Sequence, residues 1–138
     1  MVAAPIAPVA ADAATMRIFF RDLAVQVGIG IHDFELASPQ RVLVNIDLWV
    51  DRRQGVRAGK SDDIADTLDY DGLRDAVQAL ARARRYNTQE SFCWEVLKAC
   101  LTSEMVRAAR VSTCKPDVYA DTAGVGVELF EAKQSLDW

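Results

Sequence analysis

The chain has 138 residues, 51% hydrophobic and 26% charged, with a net charge of −4. That size suits one domain with its own core, and the acidic balance argues against nucleic acid or an anionic membrane surface as the main partner. No run of about 18 apolar residues is available to span a membrane, and the cysteines form no zinc pattern with the single histidine, so no metal site is expected.

Residues 1–15 are rich in alanine and proline, lack a basic leader region, and are broken by Pro5 and Pro8. They read as a disordered tail rather than a signal peptide, ahead of one folded domain over 16–133 and a short C-terminal tail at 134–138. A first strand is predicted over 17–27, with Leu23, Val25 and Val27 on one face. The second, at 41–51, carries the clearest signal in the chain. Val42, Val44, Ile46, Leu48 and Val50 fall on one face, while Leu43, Asn45, Asp47 and Trp49 fall on the other. The intervening 28–40 segment contains Gly28, Gly30 and Ser38-Pro39, and reads as an elaborated hairpin loop. A carboxylate in that loop, Glu35, can be aimed by the rigid scaffold around it.

A polar surface stretch follows from 52 to 63, where Asp62 and Asp63 suggest an N-cap for a short turn over 64–68. Leu73, Ala76, Val77, Leu80 and Ala83 recur at helical spacing and predict a helix at 71–84. The basic cluster Arg82, Arg84 and Arg85 reads as its solvated end, where cations complement the helix dipole. A second helix is predicted at 89–107, with Cys93, Val96, Leu97, Cys100, Leu101 and Met105 as its buried stripe. Cys93, Cys100 and Cys114 read as reduced thiols of a cytoplasmic protein.

A third strand, 110–115, places Val111 and Thr113 on one side and stops at Pro116. A fourth, 124–131, turns Val125, Val127 and Leu129 to the core. The order β-β-α-α-β-β predicts an α+β fold, one antiparallel four-stranded sheet with both helices on one face. Such a sheet has two open edges. These strands carry few edge-blunting features, so another subunit is expected to close them.

Four chemistry-bearing residues come from four separate connections: Glu35, Tyr70, Glu90 and Lys115. Each alone has a bland explanation as a solvated loop acid, a packing tyrosine, a helix-opening acid or a strand-end charge. Together with their surroundings they form a pattern. Asp62-Asp63-Ile64-Ala65-Asp66-Thr67-Leu68-Asp69-Tyr70, the Ile29-Gly30-Ile31…Glu35…Pro39-Gln40-Arg41 loop, the helix-opening Glu90, and Lys115-Pro116 before Gly124-Val125-Gly126-Val127-Glu128 occur in a fixed order. Over residues 17–131 this order resembles dihydroneopterin aldolase, the folate-pathway enzyme of the tunnelling fold.

The resemblance implies sheets joined into an oligomeric barrel, a tetrameric ring paired into an octamer, with active sites between subunits. It implies a small-molecule pterin substrate, held by Glu90 through its adjacent ring N–H and amine, with Gln89 and the main chain contacting the same ring. Retro-aldol cleavage would then release glycolaldehyde. The N5=C6 imine of the substrate takes up the electrons, so no cofactor, Schiff base or metal is called for. Lys115 would serve as base, near neutral through burial beside few charges. Glu35 would sit near it, with an ordered water reconciling the two. Tyr70 would reach across from a neighbouring chain to help protonate the intermediate and permit epimerisation.

The chain departs from the family pattern at Gln89, where an apolar residue is usual, and at Phe92 and Trp94 beside the expected pocket. His32 reads as a surface or hydrogen-bonding loop residue. Two other readings are an epimerase of dihydroneopterin or its triphosphate, and a non-catalytic pterin-binding module. The triphosphate would want basic residues at the pocket mouth, and none lies near Glu35 or Lys115 in the sequence.

Overall fold

The computed structural model describes residues 15–133. The expected tails at 1–15 and 134–138 lie outside the described residues, except for Thr15, which opens the first strand. Four antiparallel strands form one sheet in the order β1-β2-β3-β4: β1 (Thr15–Val27), β2 (Gln40–Asp51), β3 (Val106–Lys115) and β4 (Val125–Ala132). Alternation decides the faces. Val42, Val44, Ile46, Leu48 and Val50 are all buried, packed with Val25, Val27, Ala109 and Val111. Two helices, α3 (Tyr70–Ala83) and α4 (Gln89–Cys100), cover this face, with Val77, Ala81, Phe92, Cys93, Val96 and Leu97 turned inward. On the opposite face Asp47 accepts hydrogen bonds from Arg110 (3.0 Å) and Arg21 (3.3 Å), and Trp49 stands edge-on to Phe130 at 5.9 Å.

Differences from the sequence expectations have local causes. The polar stretch after β2 is a helix, α2 (Arg52–Ser61), started by Asp51, whose carboxylate accepts from Arg53 N, and ended by Asp62 in the left-handed region. It buries no residue, so it carries no apolar stripe to detect, and Gly55 and Gly59 lower its propensity. Asp63 then caps a 3₁₀ turn at Ile64–Asp66, and Asp69 caps α3 through the Gly72 N–H. The helix α4 stops at Cys100, not 107. Leu101 N–H bonds back to Leu97 and Lys98, and the Thr102 hydroxyl donates to Ala99 O, local bonds that compete with continued helix. The strand β3 therefore begins at Val106. In β4, Val127 and Leu129 pack on the core as expected, whereas Val125 is 40% exposed.

One edge strand carries an edge-blunting feature that the sequence reading did not find. The strand β1 carries a bulge between Phe20 and Leu23, with Asp22 at φ 52 and its N–H bonded to Asn45 Oδ1 at 2.9 Å. Bulges twist an edge away from indiscriminate pairing.

Candidate active site

The connection from β1 to β2 contains one turn of helix, α1 (Asp33–Leu36). It ends over Gly30, which adopts φ +108, and a Cβ at Gly30 would collide with the carboxyl group of Glu35. Only glycine permits both the backbone and the close approach. The loop is stapled to the segment after α3: Gly30 N–H donates to Tyr86 O (3.0 Å) and Tyr86 N–H to Gly28 O (2.8 Å). The Arg85 guanidinium donates to Gly30 O (2.7 Å) and Glu35 O (3.3 Å).

So held, the Glu35 side chain is buried and directed at the end of β3. Its Oε2 accepts from Lys115 Nζ at 2.7 Å and from Gln40 Nε2 at 2.9 Å, and its Oε1 from the His32 N–H at 3.3 Å. Burial pushes the carboxyl up. The hydrogen bonds from Lys115, Gln40 and His32 outweigh it and hold Glu35 below the ordinary 4.5. The ion pair is itself sheltered, with side-chain exposures of 11% for Lys115 and 2% for Glu35. Lys115 is thus not beside few charges: the two groups touch directly.

The helix α4 starts at the same end of the sheet. Thr88 caps it by accepting from Ser91 N–H. Glu90 is exposed in the first turn, with no partner among the described residues. Gln89 stands just before it, as the first residue of α4. Its side chain is buried, accepting from the Thr113 hydroxyl (2.8 Å) and donating to Val125 O (3.1 Å). Both polar ends of the amide are engaged by β3 and β4. Because Val125 pairs with Lys115 across β3 and β4, Glu90 and the Glu35–Lys115 pair share one end of the fold.

Tyr70 does not join them. It opens α3, half-exposed and edge-on to Phe20 at 6.4 Å. The 14 residues of α3 separate it by about 20 Å from the Arg85–Tyr86 staple beside Glu35.

With that geometry in place, relatives can be compared. A family model described as FolB dihydroneopterin aldolase matches residues 18–130. The chain belongs to the dihydroneopterin aldolase family. It is 31% identical to the dihydroneopterin aldolase of Escherichia coli K12 over 110 residues, 80% of this chain and 88% of that one. Among solved structures it is similar to a dihydroneopterin aldolase from Burkholderia thailendensis bound to guanine, with TM-score 0.73 and 33% identity over 88% of this chain and 93% of that one. The E. coli dihydroneopterin aldolase in complex with neopterin matches with TM-score 0.77 and 29% identity, over 85% and 99% of the two chains.

Within this dihydroneopterin aldolase fold, three arginines occupy a place the sequence did not suggest. Arg82, Arg84 and Arg85 line an open groove of about 510 Å³ together with Glu35 and the 36–39 loop. Some fifty residues separate them from Glu35 in the chain, yet they are its neighbours. The expectation that no basic cluster lies near Glu35 is overturned. Arg84 also stacks on the Tyr86 ring at 3.9 Å.

Phe92 is core rather than pocket, packed against Tyr86 at 5.1 Å, whereas Trp94 is exposed one turn after Glu90 on the same helix face. His32 is exposed and stacks on Phe34 at 5.6 Å. Sequence reasoning gave Gln40, Arg85 and Gly30 no part in this site, reading Arg85 as a solvated helix-end cation. Arg85 was hidden because its partners Gly30 and Glu35 are 55 and 50 residues away in the chain, whereas Gln40 is only five residues from Glu35, and Gly30 was the available signal, a glycine five residues before the loop acid.

Proposed function

We propose that the protein cleaves 7,8-dihydroneopterin by a retro-aldol reaction, releasing glycolaldehyde and 6-hydroxymethyl-7,8-dihydropterin, as a cytoplasmic step of folate synthesis. The observation that carries this reading is the sheltered Lys115–Glu35 pair at 2.7 Å, at the same end of the fold as the unpaired carboxylate of Glu90. Glu90 accepts from the ring N–H and the exocyclic amine of the pterin. Guanine presents the same donor pair, which is why a guanine complex and a neopterin complex among the relatives both favour an acidic anchor.

The substrate tail then lies toward Lys115, which takes the proton of the 2′-hydroxyl directly or through water. As the O–H bond breaks, the carbonyl of glycolaldehyde forms and the C1′–C2′ bond electrons pass into the N5=C6 imine. Protonation at C1′ completes the hydroxymethyl product, and the substrate is its own electron sink. Glu35 fixes the amine in place through their 2.7 Å contact.

Tyr70 enters from a second copy of the chain, because within one copy it stands about 20 Å away along α3. The open edges at β1 and β4 and the exposed Ile31, Phe34 and Leu36 around Glu35 favour such an assembly, with the sheets joined into a tetrameric or octameric barrel. The test is to give folded, oligomeric protein 7,8-dihydroneopterin and measure glycolaldehyde. No product under those conditions defeats the reading.

A second reading is 2′-epimerisation of a dihydroneopterin triphosphate, which the arginine-lined groove beside Glu35 favours because phosphates seek such guanidinium clusters. Chromatography that separates the 2′ epimers from the cleaved pterin distinguishes the two, and also detects epimerisation as a side activity.

A further inference from the structure

Gln89 and Glu90 are consecutive, yet their side chains are used in opposite ways. Glu90 is exposed and unpaired among the described residues, while the Gln89 amide is buried between two strands. Both of its polar atoms are engaged: Oε1 accepts from Thr113 Oγ1 at 2.8 Å and Nε2 donates to Val125 O at 3.1 Å. Thr113 is itself 1% exposed. Thr113 and Lys115 lie two residues apart on the same face of β3, a separation of about 6.7 Å. Val125 is the register partner of Lys115 and Val127 that of Thr113. One amide therefore ties the first turn of α4 to both strands at the level of Lys115.

We propose that Gln89 is a positioning residue: through Thr113 and Val125 it sets the placement of Glu90 relative to Lys115. This rests on the reading of Glu90 as pterin anchor and Lys115 as proton acceptor. The shortest link between those two groups runs from Glu90 through the peptide bond to Gln89, across one 2.8 Å hydrogen bond to Thr113, and along two residues of strand to Lys115. Everything in that link is covalent and regular except the hydrogen bond, so the hydrogen bond is where it can slip. An apolar side chain of the same volume would fill the space but could not fix the helix end against the strand. A displacement of about 1 Å between an anchored substrate and its base costs on the order of 100-fold in rate. The Glu90 carboxylate, still exposed and free, would go on binding the ring.

The experiment compares Gln89→Leu, Thr113→Val and Thr113→Ser with the parent oligomer, measuring kcat, KM and the Kd of a pterin product. Gln89→Leu and Thr113→Val are expected to lower kcat by about 10- to 100-fold, with Kd within about threefold of the parent. Thr113→Ser keeps the hydroxyl and should retain most of the rate. The serine–valine contrast decides the matter should Gln89→Leu fail to fold. A lowered Tm with unchanged kcat per folded site means the amide is merely structural, and overturns the proposal. So does a loss of Kd as large as the loss of kcat, which would make Gln89 part of the binding surface. A parent that binds pterin but does not turn over dihydroneopterin removes the underlying reading, and this proposal with it. A parent with full turnover and indifferent Gln89 and Thr113 variants removes this proposal alone.

Discussion

Replacing Gly30 by alanine probes how the Glu35 carboxylate is seated. Two costs arise from separate features of the structure. At φ +108 an L-residue is strained, by about 1–3 kcal/mol. The new Cβ would also overlap the carboxyl group, so Glu35 must swing away from Lys115 and Gln40, now at 2.7 and 2.9 Å. Losing a hydrogen bond to a charged group costs about 1.5–3 kcal/mol, giving roughly 2.5–6 kcal/mol in all. That is a large part of the ~5–15 kcal/mol that stabilises an ordinary domain. Urea unfolding at fixed protein concentration measures it, and a double-mutant cycle isolates its parts. With Glu35→Ala already present there is no carboxylate to displace, and Gly30→Ala should cost only the backbone strain. A coupling of about 1.5–3 kcal/mol between the two positions is expected. Equal effects of Gly30→Ala in both backgrounds would refute the idea that this glycine exists to seat Glu35.

Other outcomes follow from the same geometry. Lys115→Ala should abolish glycolaldehyde release but leave pterin binding within a few-fold, whereas Glu90→Ala should lose binding first; calorimetric titration beside the turnover assay shows whether the roles are reversed. The Glu35 carboxyl lies below its ordinary 4.5 in the folded state. Its contribution to stability is therefore present above that value and lost as pH falls through the lower, folded one. Glu35→Gln should flatten the acid limb of stability against pH, and an unchanged limb would contradict this. Burial pushes the thiols of Cys93 and Cys100 up to about 12. Their stabilisation is full below the unfolded thiol value of about 8.5 and is lost as pH rises toward 12. A thiol reagent at mildly alkaline pH should label neither until the protein unfolds; rapid labelling of the folded state would show that these cysteines are accessible.

The sequence by itself determined what depends on period and local chemistry. The alternation from Val42 to Val50 placed β2 and its buried face, the Cys93-Val96-Leu97-Cys100 stripe placed α4, and the Asp62-Asp63 pair marked where the 3₁₀ turn begins. These signals survive in one dimension because a strand or helix repeats its environment every second or every third and fourth residue. The helix α2, which buries nothing, left no such trace, and α4 ended early on hydroxyl and backbone bonds that hydropathy does not record.

Only the tertiary structure decided which side chains meet. Glu35 and Lys115 are 80 residues apart and in contact, the arginines at the end of α3 turn out to border the same loop, and the Gln89 amide is engaged by two strands. Tyr70, named with the others from the chain order, is left at the far end of α3. Meetings of this kind depend on sheet register and on loop closure over tens of residues. A one-residue slip in register would turn every side chain of a strand to the opposite face, so spacing along the chain carries no record of them.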